Sequence, residues 1–173
     1  MNRVIFAASL ILATTAASAQ TPYAGMQTRP IKALSEQQVA DLRDGRGMGL
    51  ALAAELNGYP GPSHVLELAD QLKLSADQRA GVQRLFDAMK AEAVPLGARL
   101  IEQEADLDWQ FATRTVTPES LKASTAAVAV TQGALRETHL RYHLSTVALL
   151  SAAQLHRYAE LRGYADKPMH RHH

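Results

Sequence analysis

Leu74-Ser75-Ala76-Asp77-Gln78 opens the segment that decides this fold, and the same pattern, Leu-Ser-x-x-Gln, begins again at Leu34 and at Leu150. A Ser just before a helix accepts a hydrogen bond from the backbone N–H of the third helical residue. A Gln at that third residue can bond back to the Ser N–H, and the preceding Leu suits a hydrophobic staple. Chance recurrence is the alternative, because short motifs also match falsely. The pattern therefore predicts three helix starts, whose motif residues are Leu34, Ser35, Gln38, Leu74, Ser75, Gln78, Leu150, Ser151 and Gln154.

A long helical hairpin is predicted to follow the second motif. From Ala76 to about Ala112 the apolar residues recur at steps of three, four and seven, and Pro95 within them predicts a kink. Thr117-Pro118 then starts a second long helix, which runs to about Leu149. The apolar residues of the first helix are Val82, Leu85, Met89, Leu96, Leu100, Leu107 and Phe111, and those of the second are Leu121, Val128, Leu135, Tyr142 and Leu149.

Shorter helices are predicted on both sides of this hairpin. One runs from Ser35 to Asn57, a second from Ser63 to about Leu72, and a last one from Ser151 to near Gly163. No stretch alternates apolar and polar residues as a strand does. The predicted fold is therefore all-α, a long bent helical hairpin with short flanking helices.

The first 19 residues read as a secretory signal peptide. Arg3 is followed by an apolar run too short to span a bilayer and by the small-residue cleavage site Ala17-Ser18-Ala19. An uncleaved anchor is the alternative, and no later stretch reaches the ~18 apolar residues of a membrane span. The predicted organisation is a signal peptide over 1–19, a flexible lead-in over 20–30, one helical domain over 31–164 and a disordered His-rich tail over 165–173.

Composition and motifs argue against several classes of function. The chain has no cysteine, so disulfides and thiolate metal sites are excluded. It carries 18 Lys and Arg residues, of which the signal peptide contains only Arg3, against 17 Asp and Glu. Such a balance argues against nucleic-acid binding. The absence of a Gly-rich phosphate loop, a nucleophile elbow and a His-Glu-x-x-His motif predicts that the protein is not an enzyme.

An exported, cysteine-free, helical chain with repeated Leu-Ser-x-x-Gln boxes resembles the Spy/CpxP family of periplasmic proteins, which is known for its LTxxQ motif. The resemblance covers roughly Leu34 to Tyr164, with Ser where Thr is commoner. It implies a periplasmic, cradle-like antiparallel homodimer that binds unfolded or misfolded proteins without ATP, as a chaperone or envelope-stress accessory. A sensor kinase or other regulator is an implied partner. The family's chaperones are richer in charged residues than this chain.

Five apolar residues of the first long helix are predicted to contact such clients: Val82, Phe86, Met89, Leu96 and Leu100. Apolar patches rimmed by charge can hold an unfolded chain weakly. The alternative is that these residues form ordinary core.

A metal site is the alternative function, and it implies a periplasmic heavy-metal sensor or buffer. His139 and His143 are four residues apart and share one helical face. Reflection of the hairpin about its turn places Glu92 opposite His139, which predicts a ligand set for zinc, copper or nickel. The other interpretation is a plain polar pair between His139 and Glu92. Weaker, unselective binding is predicted for the tail histidines, His170, His172 and His173. The chaperone function requires no cofactor.

Overall fold

The computed structural model describes residues 23–165, and all the regular structure within that range is helical. A short 3₁₀ helix, Met26–Thr28, precedes six α-helices. These are α1 (Glu36–Arg43), α2 (Leu52–Glu55), α3 (Pro62–Glu67), α4 (Ala76–Ala112), α5 (Pro118–Val147) and α6 (Ala152–Arg162). The predicted all-α class is therefore confirmed. None of the helices between residues 23 and 165 has the length and apolarity that a membrane crossing needs.

All three predicted capping boxes are present. The side chains of Ser35, Ser75 and Ser151 each accept a hydrogen bond from the backbone N–H of the Gln three residues on, and that Gln accepts from the Ser N–H in return. A fourth box of the same geometry, between Thr117 and Ser120, opens α5. These local bonds satisfy backbone donors that a helix N-terminus otherwise leaves unpaired.

The second and third boxes also bond to each other. Gln78 Nε2 donates to Gln154 Oε1 at 2.9 Å, and Gln154 Nε2 donates to Gln78 Oε1 at 3.0 Å. The remaining hydrogens of the two amides reach backbone oxygens, those of Leu149 at 2.8 Å and Leu72 at 3.3 Å. The starts of α4 and α6 are thus joined by a reciprocal amide pair, which the motif spacing alone did not predict.

The hairpin of α4 and α5 is the scaffold on which α1, α2 and α3 pack. The α4 helix runs unbroken through Pro95, with the bounds that the sequence predicts. One core cluster joins α1 to the hairpin and consists of Leu42, Ala93, Leu100 and Leu135. The other cluster joins α3, α4 and α6, and it consists of Val65, Leu72, Val82 and Tyr158. Phe111 departs from the predicted apolar stripe, since 55% of it is exposed at the hairpin tip.

The predicted single helix from Ser35 to Asn57 is wrong. The α1 helix ends at Arg43, and a loop separates it from α2. Gly45, Met48 and Gly49 have φ angles of 66°, 44° and 83° in that loop. Residues in the left-handed region cannot continue a right-handed helix. The apolar residues at helical spacing on either side of the loop therefore belong to two separate helices.

The second flanking helix also differs from its prediction. The α3 helix starts at Pro62, follows Gly61 rather than a Ser63 cap, and ends at Glu67 instead of near Leu72. Proline suits the first helical position because its φ is already helical and its missing N–H is not needed there.

Gly97 sets how closely α1 approaches the hairpin. A β-carbon on Gly97 would lie 2.2 Å from the backbone oxygen of Leu42. Only glycine allows this contact, which brings the end of α1 directly onto α4.

Candidate functional site

The predicted convergence of Glu92 with the two histidines does not form. The Glu92 carboxylate accepts hydrogen bonds from Arg141 at 2.5 Å and from Tyr142 Oη at 2.7 Å. The bond from Arg141, followed by that from Tyr142, lowers the pKa of Glu92. Its contact partners therefore lie two and three residues beyond His139. Because each helical residue turns by about 100°, Arg141 lies on another side of α5 from His139, while Tyr142, nearly one turn further along, reaches Glu92 in place of His139.

The two histidines are buried and line the same cavity. His139 is 2% exposed and His143 is 7% exposed. The cavity has a volume of about 530 Å³. Its wall comes from the loop between α1 and α2, from α2 and α3, and from the inner faces of α4 and α5. We call it the histidine cavity; its lining includes Met48, Ala51, Glu55, Gly61, Pro62, His64, Phe86, Met89, His139 and His143.

His143 is held in a defined tautomer. Its Nδ1 lies 2.6 Å from the backbone oxygen of Tyr59, and a carbonyl can only accept, so Nδ1 carries the proton. In the neutral ring Nε2 then has a lone pair. A β-carbon on Gly61 would lie 2.7 Å from this Nε2, so only glycine lets the backbone pack this closely against the ring. This arrangement matches that of a metal-binding histidine whose second nitrogen is fixed by a carbonyl.

His139 has an unsatisfied ring. Its Nε2 is buried and has no hydrogen-bond partner among residues 23–165. Burial, followed by the nearby His143, lowers the pKa of His139, so the ring is neutral near pH 7. A buried polar group without a partner costs about 1–3 kcal/mol. A ligand that bonds this nitrogen would recover that cost.

Glu55 organises the rim of the cavity, and its role is not apparent from sequence spacing. It is 5% exposed and accepts hydrogen bonds from the Gly61 N–H at 3.2 Å, from His64 Nδ1 at 3.2 Å and from Tyr158 Oη. Burial alone raises the pKa of Glu55, but the bonds from His64 and Tyr158 outweigh it and lower that pKa to about 2. In the sequence, the one feature that sets Glu55 apart is that it is a lone carboxylate in the otherwise apolar run around α2.

The same carboxylate joins four elements of the fold. Arg162 of α6 lies 3.9 Å from Glu55 Oε1, and His143 Nδ1 of α5 lies 3.8 Å from Oε2. With Tyr158 of α6 and His64 of α3, these contacts tie α2 to the rest of the molecule. Both oxygens of Glu55 are therefore already engaged.

The residues predicted to contact clients belong mainly to the core. Val82, Met89 and Leu100 are buried, and Phe86 and Leu96 are half-buried. They are covered because α1 and α3 pack onto α4, whereas the hypothesis required an open face. Val82, Met89 and Leu100 therefore belong to the ordinary core, the alternative interpretation, while client contact at the half-buried Phe86 and Leu96 stays a prediction.

Three further predictions concern the two ends of the chain. The signal peptide, with its cleavage site after Ala19, and the histidines His170, His172 and His173 lie outside residues 23–165. The predicted lead-in is described from Tyr23 onward and includes the short 3₁₀ helix.

No group of three His, Cys, Asp or Glu side chains within residues 23–165 is placed to hold a metal ion. Comparison with known proteins identifies no relative. No protein-family model matches the chain, and no curated protein or solved structure matches it significantly.

Proposed function

We propose that this protein is a non-catalytic, metal-responsive binding protein that takes up an ion in the histidine cavity. The observation that carries the proposal is the buried pair of imidazoles. His139 has an unpartnered Nε2, and His143 is oriented by the Tyr59 carbonyl so that its Nε2 lone pair is not consumed. Two rings four residues apart on one helix can ligate a single ion.

The resemblance to periplasmic Spy/CpxP proteins supports the same function, because that group includes metal-sensing relatives. In an exported protein the site would buffer or report an ion outside the cytoplasm. The ion would also bridge the loop before α2 to the hairpin, since residues of both line the cavity. Binding would therefore stabilise the folded state and change how firmly α2 and α3 are held.

The test is a set of melting curves with zinc, copper or nickel at pH 7.5, on protein whose tail histidines have been replaced by alanine. An ion at a hundredfold excess over Kd should add about 2.7 kcal/mol to the free energy of unfolding. His139→Ala and His143→Ala should each remove this gain. His156→Ala is the matched control, because its side chain is 75% exposed on α6. Equal gains in all four proteins would refute the site.

A second candidate function, the holding of partly unfolded chains, is favoured by a separate observation. Trp109 and Phe111, near the end of α4, are 58% and 55% exposed, and Leu121, in the first turn of α5, is 37% exposed. Exposed large apolar side chains that cluster are typical of binding surfaces. Here the tip, rather than the predicted face of α4, would contact a client.

Suppression of aggregation of a reduced or heated client, measured by light scattering without metal, tests this function. Trp109→Ser with Phe111→Ser should lose most of the protection. Leu52→Ser is the control, since Leu52 is equally exposed, at 53%, but lies far from the tip on α2. If the control loses as much protection as the tip variant, the tip is not the client surface.

A further inference from the structure

The carboxylates around the histidine cavity are poorly suited to bind an ion. Both oxygens of Glu55 accept hydrogen bonds from the protein. Asp44 is paired with Arg46 at 3.1 Å and is 54% exposed, while Glu67 is 57% exposed. Zinc and nickel sites usually require three or more nitrogen, thiolate or carboxylate ligands, and residues 23–165 offer no such group.

Two thioethers line the same cavity. Met89 of α4 is buried, with 6% of its surface exposed, whereas Met48, in the loop between α1 and α2, is 42% exposed at the cavity wall. The chain turns at Met48 with a φ of 44°, a region that non-glycine residues seldom occupy. Gly47 lies against the His139 ring, where an added β-carbon would be 3.5 Å from Nδ1. Met48 directly follows Gly47, the residue that packs against the His139 ring, and it lines the same cavity.

Imidazole and thioether donors together define the class of ion. Thioether sulfur is a soft ligand that selects Cu(I), and imidazole also suits copper. Hard cations such as Mg²⁺ and Ca²⁺ prefer oxygen donors, which are engaged here. Imidazole and thioether donors carry no charge of their own, which suits a monovalent ion.

We infer that the histidine cavity selects a soft monovalent cation, Cu(I) or its analogue Ag(I), through His139, His143, Met48 and Met89. This inference rests on the proposed metal binding and adds the identity of the ion. It assigns the two methionines as ligands, a role for which neither helical spacing nor motif gave a signal.

The test is an anaerobic titration of the protein, with its tail histidines replaced by alanine, using Cu(I) in competition with bicinchoninate. Zinc titrations run in parallel. One Cu(I) should bind per chain. Met48→Leu and Met89→Leu should each lower the affinity for Cu(I) at least about tenfold. Loss of an outer-shell contact to a ligand already lowers metal affinity by about that factor, and loss of the ligand itself should cost no less. Both should leave any zinc affinity within about twofold.

The methionine variants isolate ligation from folding. A Met-to-Leu change conserves volume and usually costs under about 1.5 kcal/mol, so both variants should fold, as circular dichroism will show. Met26→Leu, on the 3₁₀ helix and outside the cavity, is the matched control. X-ray absorption at the copper edge should show sulfur scatterers that disappear in the Met48→Leu/Met89→Leu double variant.

The outcomes separate this inference from the proposed function. If Cu(I) or zinc binds through His139 and His143 but both methionine variants match the control, the thioether ligands are refuted while the metal function stands. If His139→Ala and His143→Ala leave binding of every ion unchanged, both proposals fail. Sulfur scattering together with a selective loss of Cu(I) affinity in the methionine variants supports both.

Discussion

The amide pair between the second and third boxes should make Gln78 far more important for stability than its motif position suggests. The capping box by itself assigns Gln78 one backbone donor, that of Ser75, at 3.0 Å. In the folded protein it takes part in three further bonds, two with Gln154 and one to the Leu149 oxygen. Sequence alone predicts that Gln78→Ala costs less than the 0.5–2 kcal/mol (roughly) of a lost Ser cap, and the structure reverses that expectation.

The expected magnitude follows from the bonds that are lost. A typical intramolecular hydrogen bond contributes about 0.5–1.5 kcal/mol net, and half-exposed bonds lie toward the lower end. Four such bonds give a loss of about 2–4 kcal/mol for Gln78→Ala. Gln38→Ala is the matched control, because Gln38 occupies the same box position and, within residues 23–165, its Oε1 accepts only from the Ser35 N–H, at 2.9 Å. Its loss should be about 0.5–1 kcal/mol, and the change in helix propensity is the same in both variants.

Urea unfolding followed by circular dichroism measures both variants. A double-mutant cycle of Gln78→Ala with Gln154→Ala then tests the pair itself. Each single change already removes the two mutual bonds, so the double variant should lose about 1–2 kcal/mol less than the sum of the singles. Losses for Gln78→Ala and Gln38→Ala that agree within about 0.5 kcal/mol, or an additive cycle, would refute the reasoning.

Three further predictions follow from single positions and from assembly. Gly97→Ala should lower the free energy of unfolding by more than about 2 kcal/mol, because the Leu42 carbonyl belongs to the backbone and cannot move aside. Gly133→Ala is the control in the same urea assay. A β-carbon there would meet nothing within 4 Å, so the change should be neutral or stabilise by up to about 1 kcal/mol. Glu55 has a folded-state pKa of about 2 against 4.5, so it should contribute about 3 kcal/mol at neutral pH that is lost as pH falls from 4.5 to 2. Glu55→Gln should therefore lose stability at pH 7 and approach the parent near pH 2 in urea titrations across that range. Multi-angle light scattering at micromolar concentration should give twice the chain mass if the predicted homodimer forms, and a strictly monomeric mass would contradict it.

The predicted helices that proved correct depend on short-range interactions. The starts of α4, α5 and α6 are set by caps whose partners lie three residues apart, and the length of α4 follows from apolar residues repeated at helical spacing. The prediction failed where backbone conformation overrode spacing. The loop Gly45–Gly49 kept helical periodicity on both sides, yet left-handed residues broke the helix there.

The site could be predicted only in part. Sequence spacing correctly placed His139 and His143 together on one face of α5, because four residues make nearly one helical turn. It assigned the wrong carboxylate. Equal distances from the turn place Glu92 opposite His139, but the packed helices bring Glu92 to Arg141 and Tyr142. At about 100° of rotation and 1.5 Å of rise per residue, an error of two residues selects a different face, and an error of three residues selects a side chain nearly one turn away.

The sequence by itself determined the helical class, the capped helix starts and the shared face of the two histidines, because each depends on residues within a turn or two of one another. Only the tertiary structure decided which groups meet over long separations. Glu55 meets Tyr158 across 103 residues, and His143 meets Tyr59 across 84. The Gln78–Gln154 pair spans 76. Such pairings depend on the angle and offset at which helices pack, which are set by close contacts such as that of Gly97 with the α1 backbone.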